Sequence, residues 1–428
     1  MPDSQPQPPR NPGGDTPPVG QPPGADSGDG ALVLCGARLA DGRIVDVRLS
    51  GGRIEAVGTA GSLAPGPRVD LGGYLLLPAP AEPHGHGDTA FTADLDGPVP
   101  YAVEDVQRRV TEAALLQLGH GATALRSHVR IGDVQGLRSL EAVLQARRAL
   151  RGLTDLGVVA VPRLLTGAAG AEGLAMLRDA VKMGAAVGGC PDLDPDPTGY
   201  AEIALGLAAE HGCPVDLHTD GGDPARLARL AAMAGGLRPR VTVGPCGGLA
   251  RLPHEQAARA AEQLAAAEVT VVCLPQGDCG ALELRAARVS RCAPVRLLRQ
   301  AGVRVTAGSG ALRDAANPVG RGDPLEAAFL LASRGELRPH EAYEAVSGGA
   351  RAAMGLPVVR VEAGFPAELL AVRGRRIEGV LSLAYSRLVV HQGRVVARTS
   401  AVREYCDSTA AAALELPRQS SRGGGEPS

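Results

Sequence analysis

Residues 214–246 read PVDLHTDGGDPARLARLAAMAGGLRPRVTVGPC. The fifth candidate strand ends Val215-Asp216-Leu217-His218-Thr219-Asp220. PARLARLAAMAG (224–235) is an Ala/Leu/Arg stretch of helical period, and a second apolar run follows at 240–246. The theme occurs eight times, with candidate strands at 74–82, 122–129, 157–164, 185–193, 214–220, 240–246, 269–276 and 303–310. Apolar strands alternating with amphipathic helices predict a parallel sheet covered on both faces. Eight such units predict a (β/α)₈ barrel, with a doubly wound open sheet as the rival.

The flanks have a different texture. Residues 30–73 hold short Val, Leu and Ile runs punctuated by Asp41-Gly42 and Gly51-Gly52, which are hairpin signals. Similar runs return at 368–380 and 386–397, within 357–400. Both ends are therefore expected to build one small β-sandwich domain flanking a barrel over 74–356. Residues 1–29 are a Pro/Gly-rich tail with almost no aliphatics, and 401–428 form a second tail, polar from about 417. Neither can bury enough surface to offset its ordering entropy, so disorder is expected for 1–29 and from about 417.

Composition excludes whole classes of function. Lys and Arg total 44 against 46 Asp and Glu, so the basic footprint of a nucleic-acid binder is absent. No stretch has the length and apolarity of a membrane span, and the N-terminus lacks the blocks of a secretory signal. The eight cysteines are dispersed with no CxxC pair, which fits reduced thiols in a cytoplasmic protein. The core must be aliphatic, because the chain has 3 Phe, 6 Tyr and no Trp. Lys182 is the single lysine and lies between a helix and a strand, away from the end of a barrel where chemistry resides.

The strand tips carry the informative residues. The first strand runs into Glu82-Pro83-His84-Gly85-His86-Gly87-Asp88. Two histidines at i and i+2 of an extended segment share a face, so both can reach one divalent metal. His218, at the tip of the fifth strand, completes a possible three-imidazole set, a common ligand set for catalytic zinc. His128 closes the second strand; a support for the ligands, a substrate contact and a hydrogen-bonded core residue all fit it.

These residues resemble those of the amidohydrolase superfamily, and cytosine deaminase-like members in particular. The resemblance runs from about residue 31 to 400 and includes EPHGHGDTAFTAD (82–94), GATALRSHVRIGD (121–133), CPVDLHTD (213–220), ARVSRCAPVRLLRQAGVRVTAGSG (287–310) and RDAANPVG (313–320). It implies a barrel with a β-sandwich domain and one divalent zinc or iron at His84, His86 and His218. It also implies hydrolysis of non-peptide C–N bonds in cyclic amidines or amides. The departures fall on the chemistry. Gly221 stands where the family carries a proton-shuttling glutamate, Pro245 where it carries a histidine, and Gly310 where an aspartate binds metal and takes the proton of the attacking water. Ser309 replaces a supporting histidine, and Arg163, after Pro162, replaces a substrate-binding glutamine.

General acid–base groups each contribute about 10²–10⁴ in rate, so losing two of them removes most deaminase turnover. Candidate replacements in the sequence are Asp220, Asp314, Cys246 and the Asp278-Cys279 pair after the seventh strand. A cysteine following an inward-facing position points outward, which argues against Cys246. Three readings follow. One is a catalytically impaired amidohydrolase that binds metal weakly or not at all and takes a small-molecule ligand. Another is an active C–N hydrolase with a rewired site, Arg163 and His128 contacting substrate. The last is a partner protein, a homo-oligomer or a hetero-oligomer with an active paralogue.

Overall fold

A computed structural model describes residues 30–276 and 292–401. The tails expected to be disordered, and Asp278 and Cys279, lie outside the described residues.

Five strands open the described chain: β1 (Leu32–Arg38), β2 (Ile44–Ser50), β3 (Arg53–Thr59), β4 (Arg68–Asp70) and β5 (Tyr74–Pro78). Eight follow at intervals: β6 (Ala81–Gly85), β7 (Ala124–Ile131), β8 (Asp155–Pro162), β9 (Ala186–Gly189), β10 (Val215–Thr219), β11 (Val241–Pro245), β12 (Thr270–Cys273) and β13 (Arg304–Ala307). Three more end it: β14 (Leu369–Arg373), β15 (Arg387–His391) and β16 (Arg394–Thr399).

Strands β6 to β13 form one parallel sheet in chain order. A parallel bridge between Gly85 and Gly310 brings its two edges together, closing the barrel. Strands such as β6, β10 and β11 are buried at every position, as a sheet covered on both faces requires. The helices supply that cover with small aliphatic stripes: the helix His254–Ala266 buries Ala257, Ala260, Ala261 and Leu264, the i, i+3, i+4, i+7 pattern of one helical face.

The remaining strands form a second sheet in the order β16-β15-β14-β5-β1-β2-β3, with β4 beside β1. Its seam is the antiparallel pairing of β5 with β14, which joins the two ends of the chain. The β2–β3 turn needs left-handed backbone twice in succession, and Gly51 and Gly52 provide it at φ +53° and +73°. Its core packs Leu34, Val47, Ile54, Leu76, Leu369 and Val390.

One expected strand is two. The run 74–82 splits at Ala79-Pro80, because proline lacks a donor and disfavours continuation through the residue before it. Tyr74–Pro78 pairs in the small sheet, and only from Ala81 does the chain enter the barrel. The expected strand 185–193 is likewise shortened to β9, its end taken by a 3₁₀ turn at Pro191–Leu193. Among the described residues, no helix is long and apolar enough to cross a membrane.

The sheet and barrel are tied by a buried ion pair. Asp323 caps the helix Pro324–Ser333 through the Leu325 amide, and accepts from Arg387 Nη1 and Nη2 at 2.9 and 2.6 Å. Arg387 belongs to β15 and also donates to the carbonyls of His120 and Ala384. Burial works to raise the Asp323 carboxyl, but hydrogen bonds and charge from Arg387 more than offset it and hold it below its usual range. A depressed carboxylate contributes stability above its unfolded pKa of about 3.9 and loses it as pH falls through the lower folded value. Replacing Asp323 by Asn strands a buried guanidinium, so urea denaturation at pH 7 should show a loss of about 3–5 kcal/mol. That loss should shrink as the pH is lowered through the acid range, where the wild-type carboxylate is itself protonated.

Candidate metal centre

Strand alternation sorts the barrel interior into layers. On β6, Glu82 and His84 share a face with His86 just beyond the strand; on β7, Arg126 and His128 do; on β10, Asp216 and His218 do. Register sets the levels, pairing Asp216 with Thr242 and His218 with Gly244. A charged layer of Arg126 and Asp216 therefore lies below a layer of imidazoles, which sits toward the C-terminal ends of the strands.

Arg126 ties the charged layer together, leaving Asp216 Oδ1 without a hydrogen-bond partner among the described residues. Arg126 Nη1 donates to Asp216 Oδ2 at 2.9 Å and lies 3.3 Å from Thr242 Oγ1, while Nη2 donates to the Ala353 carbonyl at 3.1 Å. Burial works to raise the Asp216 carboxyl, but His128 and Arg126 more than offset it and hold it at about 2. Asp216 in turn faces the imidazoles: Oδ2 is 3.4 Å from His128 Nε2, and Oδ1 is 3.9 Å from His84 Nδ1.

Above it, His84, His86, His128 and His218 converge, each offering a nitrogen within 4.8 Å of the others. His84 Nε2 and His218 Nε2 are 3.0 Å apart, and His218 Nε2 is 3.3 Å from His86 Nε2. His84, His128 and His218 are buried and His86 is half-buried. Burial and then the neighbouring imidazoles hold His84 and His86 well below the usual histidine range, and His218 is pushed down to about 3. Those three rings are therefore neutral near pH 7, the form that binds metal. His84 Nδ1, His218 Nδ1 and both ring nitrogens of His128 are buried without a hydrogen-bond partner. A cluster of converging imidazole nitrogens, several without a hydrogen-bond partner, fits a borderline divalent cation.

The candidate carboxylates Asp220 and Asp314 are engaged elsewhere. Asp220 is half-exposed and ion-paired with Arg251. Asp314 is buried and accepts from Thr89 Oγ1, Ala316 N and Asn317 N at 2.7, 2.9 and 3.1 Å, which organises its own loop. Arg163 is exposed on the loop after β8, at the C-terminal end of the barrel. Cys246 is buried in the hydrophobic core with a left-handed backbone, φ +56°. Gly221 is also left-handed, at φ +69°, and a Cβ there would meet Leu249 Cγ at 3.2 Å. Pro245 ends β11, and Gly310 carries the bridge to Gly85 at φ +71°.

Four buried charged groups around the cluster escape the sequence reading: Arg126, Asp216, Glu82 and Asp88. Each lies two residues from a histidine on the same strand or its continuation, so the two-residue period is their available signal. The Glu82 carboxyl accepts from Ser309 N, Ser309 Oγ and His84 N, and burial raises it to about 7. Asp88 is raised by burial; one oxygen lies 3.4 Å from Arg130 N and the other has no partner among the described residues.

If the Arg126–Asp216 pair carries the imidazole layer, Asp216→Ala leaves an uncompensated guanidinium and costs about 3–5 kcal/mol. The combined Arg126→Met and Asp216→Leu variant should recover much of that loss in the same denaturation experiment.

Comparison with known proteins places this geometry. A sequence model of the amidohydrolase family matches residues 175–397. The chain is 27% identical over 389 residues to pterin deaminase of Rhizobium rhizogenes, covering 83% of this chain and 88% of that protein. It is 24% identical over 417 residues to N-isopropylammelide isopropyl amidohydrolase of Pseudomonas sp. strain ADP, covering 88% and 99%. The crystal structure of N-isopropylammelide isopropylaminohydrolase from Burkholderia multivorans superposes with a TM-score of 0.77 at 26% identity, over 87% of this chain and 100% of that one. A 5-methylcytosine deaminase from Klebsiella pneumoniae shares the fold at a TM-score of 0.74 and 20% identity, over 88% of this chain and 100% of that one. With its eight-stranded parallel barrel, its small β domain and its cluster of imidazoles, this chain belongs to the amidohydrolase family.

Proposed function

We propose that this chain is an amidohydrolase-family barrel that retains a divalent metal centre and has lost hydrolytic turnover. The observation that carries the reading is a pairing of presence and absence. Four imidazoles converge, with His84 Nδ1, His218 Nδ1 and both nitrogens of His128 lacking hydrogen-bond partners among the described residues, while the positions where the family carries a glutamate, a histidine and an aspartate are Gly221, Pro245 and Gly310. His84, His86 and His218 would hold zinc or iron. Such a metal, when bound, lowers the pKa of a water and polarises a substrate carbonyl or amidine.

The chain's own groups do little to move protons there. Asp220 is committed to Arg251 and Asp314 to its loop. Glu82 is committed to Ser309 and the His84 amide. Arg163, exposed on the loop after β8, is the group placed to meet an anionic small molecule, which fits a ligand-binding protein. A second reading, an active hydrolase of C–N bonds in cyclic amidines or amides, rests on Asp88. Its partnerless carboxylate oxygen lies two residues beyond His86.

Elemental analysis of chelator-free protein, paired with turnover screens on cyclic amidines, cyclic amides and pterins, separates these outcomes. The expected result is about one zinc or iron per chain, the occupancy of a single catalytic-type centre. That metal should be lost in His84→Ala, with no turnover above that variant. Turnover lost in both His84→Ala and Asp88→Asn would establish the second reading. A folded chain without metal would overturn both.

A further inference from the structure

We propose that His128 is a fourth metal ligand, and that the centre is a closed four-imidazole site with no position for a hydrolytic water. The inference rests on the metal-centre half of the reading above and deepens it.

The unused imidazole carries the argument. His128 is 1% exposed, and neither ring nitrogen has a hydrogen-bond partner among the described residues. A buried polar atom left unsatisfied is costly, so the ring calls for a partner, and a metal would take one of its two nitrogens. Asp216 approaches only one of them, Oδ2 standing 3.4 Å from Nε2. A substrate does not reach it easily, because the ring is buried against three others, with centroids 4.0 Å from His84, 4.7 Å from His218 and 5.4 Å from His86.

The geometry suits four nitrogens around one ion. With Zn–N bonds of about 2.0–2.1 Å, a tetrahedron has edges of about 3.3 Å. Two edges already stand at 3.0 and 3.3 Å, and every separation in the group lies within 4.8 Å, in reach of small side-chain rotations. Gly310 offers no side chain beyond β13, and its backbone is engaged with Gly85. A ligand set that has lost its carboxylate can be completed from β7, next to the strand that bears His84. Four-coordinate sites filled by protein are structural, whereas catalytic zinc keeps a position open for water or substrate. Four imidazoles in a tetrahedron also favour zinc over iron, because a non-haem iron site ordinarily includes a carboxylate.

Cobalt-substituted full-length chain gives a readout independent of activity. The wild type is expected to show the intense visible absorption of four-coordinate cobalt, unchanged by azide. His128→Ala should bind cobalt at least about tenfold more weakly, given that even outer partners of a ligand change affinity 10–100-fold. Its spectrum should respond to azide, which enters the vacated position. His128→Gln, which keeps most of the volume, carries the same expectation, with circular dichroism confirming the fold. A wild-type spectrum that shifts with azide overturns the closed site. Unchanged affinity and spectrum in the His128 variants place that ring outside the coordination sphere, which overturns the proposal while leaving the metal centre standing. A wild type that takes up neither cobalt nor zinc overturns both.

Discussion

The buried pair of Arg126 and Asp216 is the constraint on which the rest of the interior depends. Both groups lie inside the barrel, the carboxylate with no exposure at all, and each ion costs several kcal/mol to desolvate unless paired and hydrogen-bonded. The pair meets that cost through one short contact to each other and further contacts to Thr242 and the Ala353 carbonyl. Once Arg126 fixes Asp216, the carboxylate sits under His84 and His128. The four rings are stacked on a charged floor that cannot move without exposing an unpaired ion. A metal bound there would find donors already converged.

The architecture is legible in the sequence because it is written in periodicity. Eight apolar runs with polar tips, separated by helical stripes such as Ala257, Ala260, Ala261 and Leu264, leave few alternatives to a parallel barrel. The break at Ala79-Pro80 is hidden because the stretch 74–82 reads as one apolar run, and only pairing with β14 shows where it changes sheets. His84, His86 and His218 are legible because strand parity and strand tips predict where inward side chains meet. The environment of the site is not. Whether Asp220 faces the metal or Arg251, and whether Asp314 serves as a base or organises a loop, are questions of side-chain partners that no spacing encodes. His128 keeps three roles in the sequence for the same reason.

The departures from the family's catalytic pattern are built into the main chain as well as the side chains. Gly221 and Gly310 both adopt left-handed φ, where a residue with a Cβ is strained. Space at Gly221 is already filled by Leu249 and the Cys246 backbone. Pro245 can neither donate a hydrogen bond nor ligate a metal. Returning the family's side chains would therefore require the loops after β10 and β13 to change shape.

X-ray absorption at the zinc edge of metal-loaded protein tests the central claim most directly, because it counts ligands without reference to any substrate. The account predicts a first shell of four nitrogens at about 2.0–2.1 Å, with outer-shell scattering from four imidazoles. Three or fewer imidazoles with an added oxygen would contradict it, and would describe an open centre with room for water.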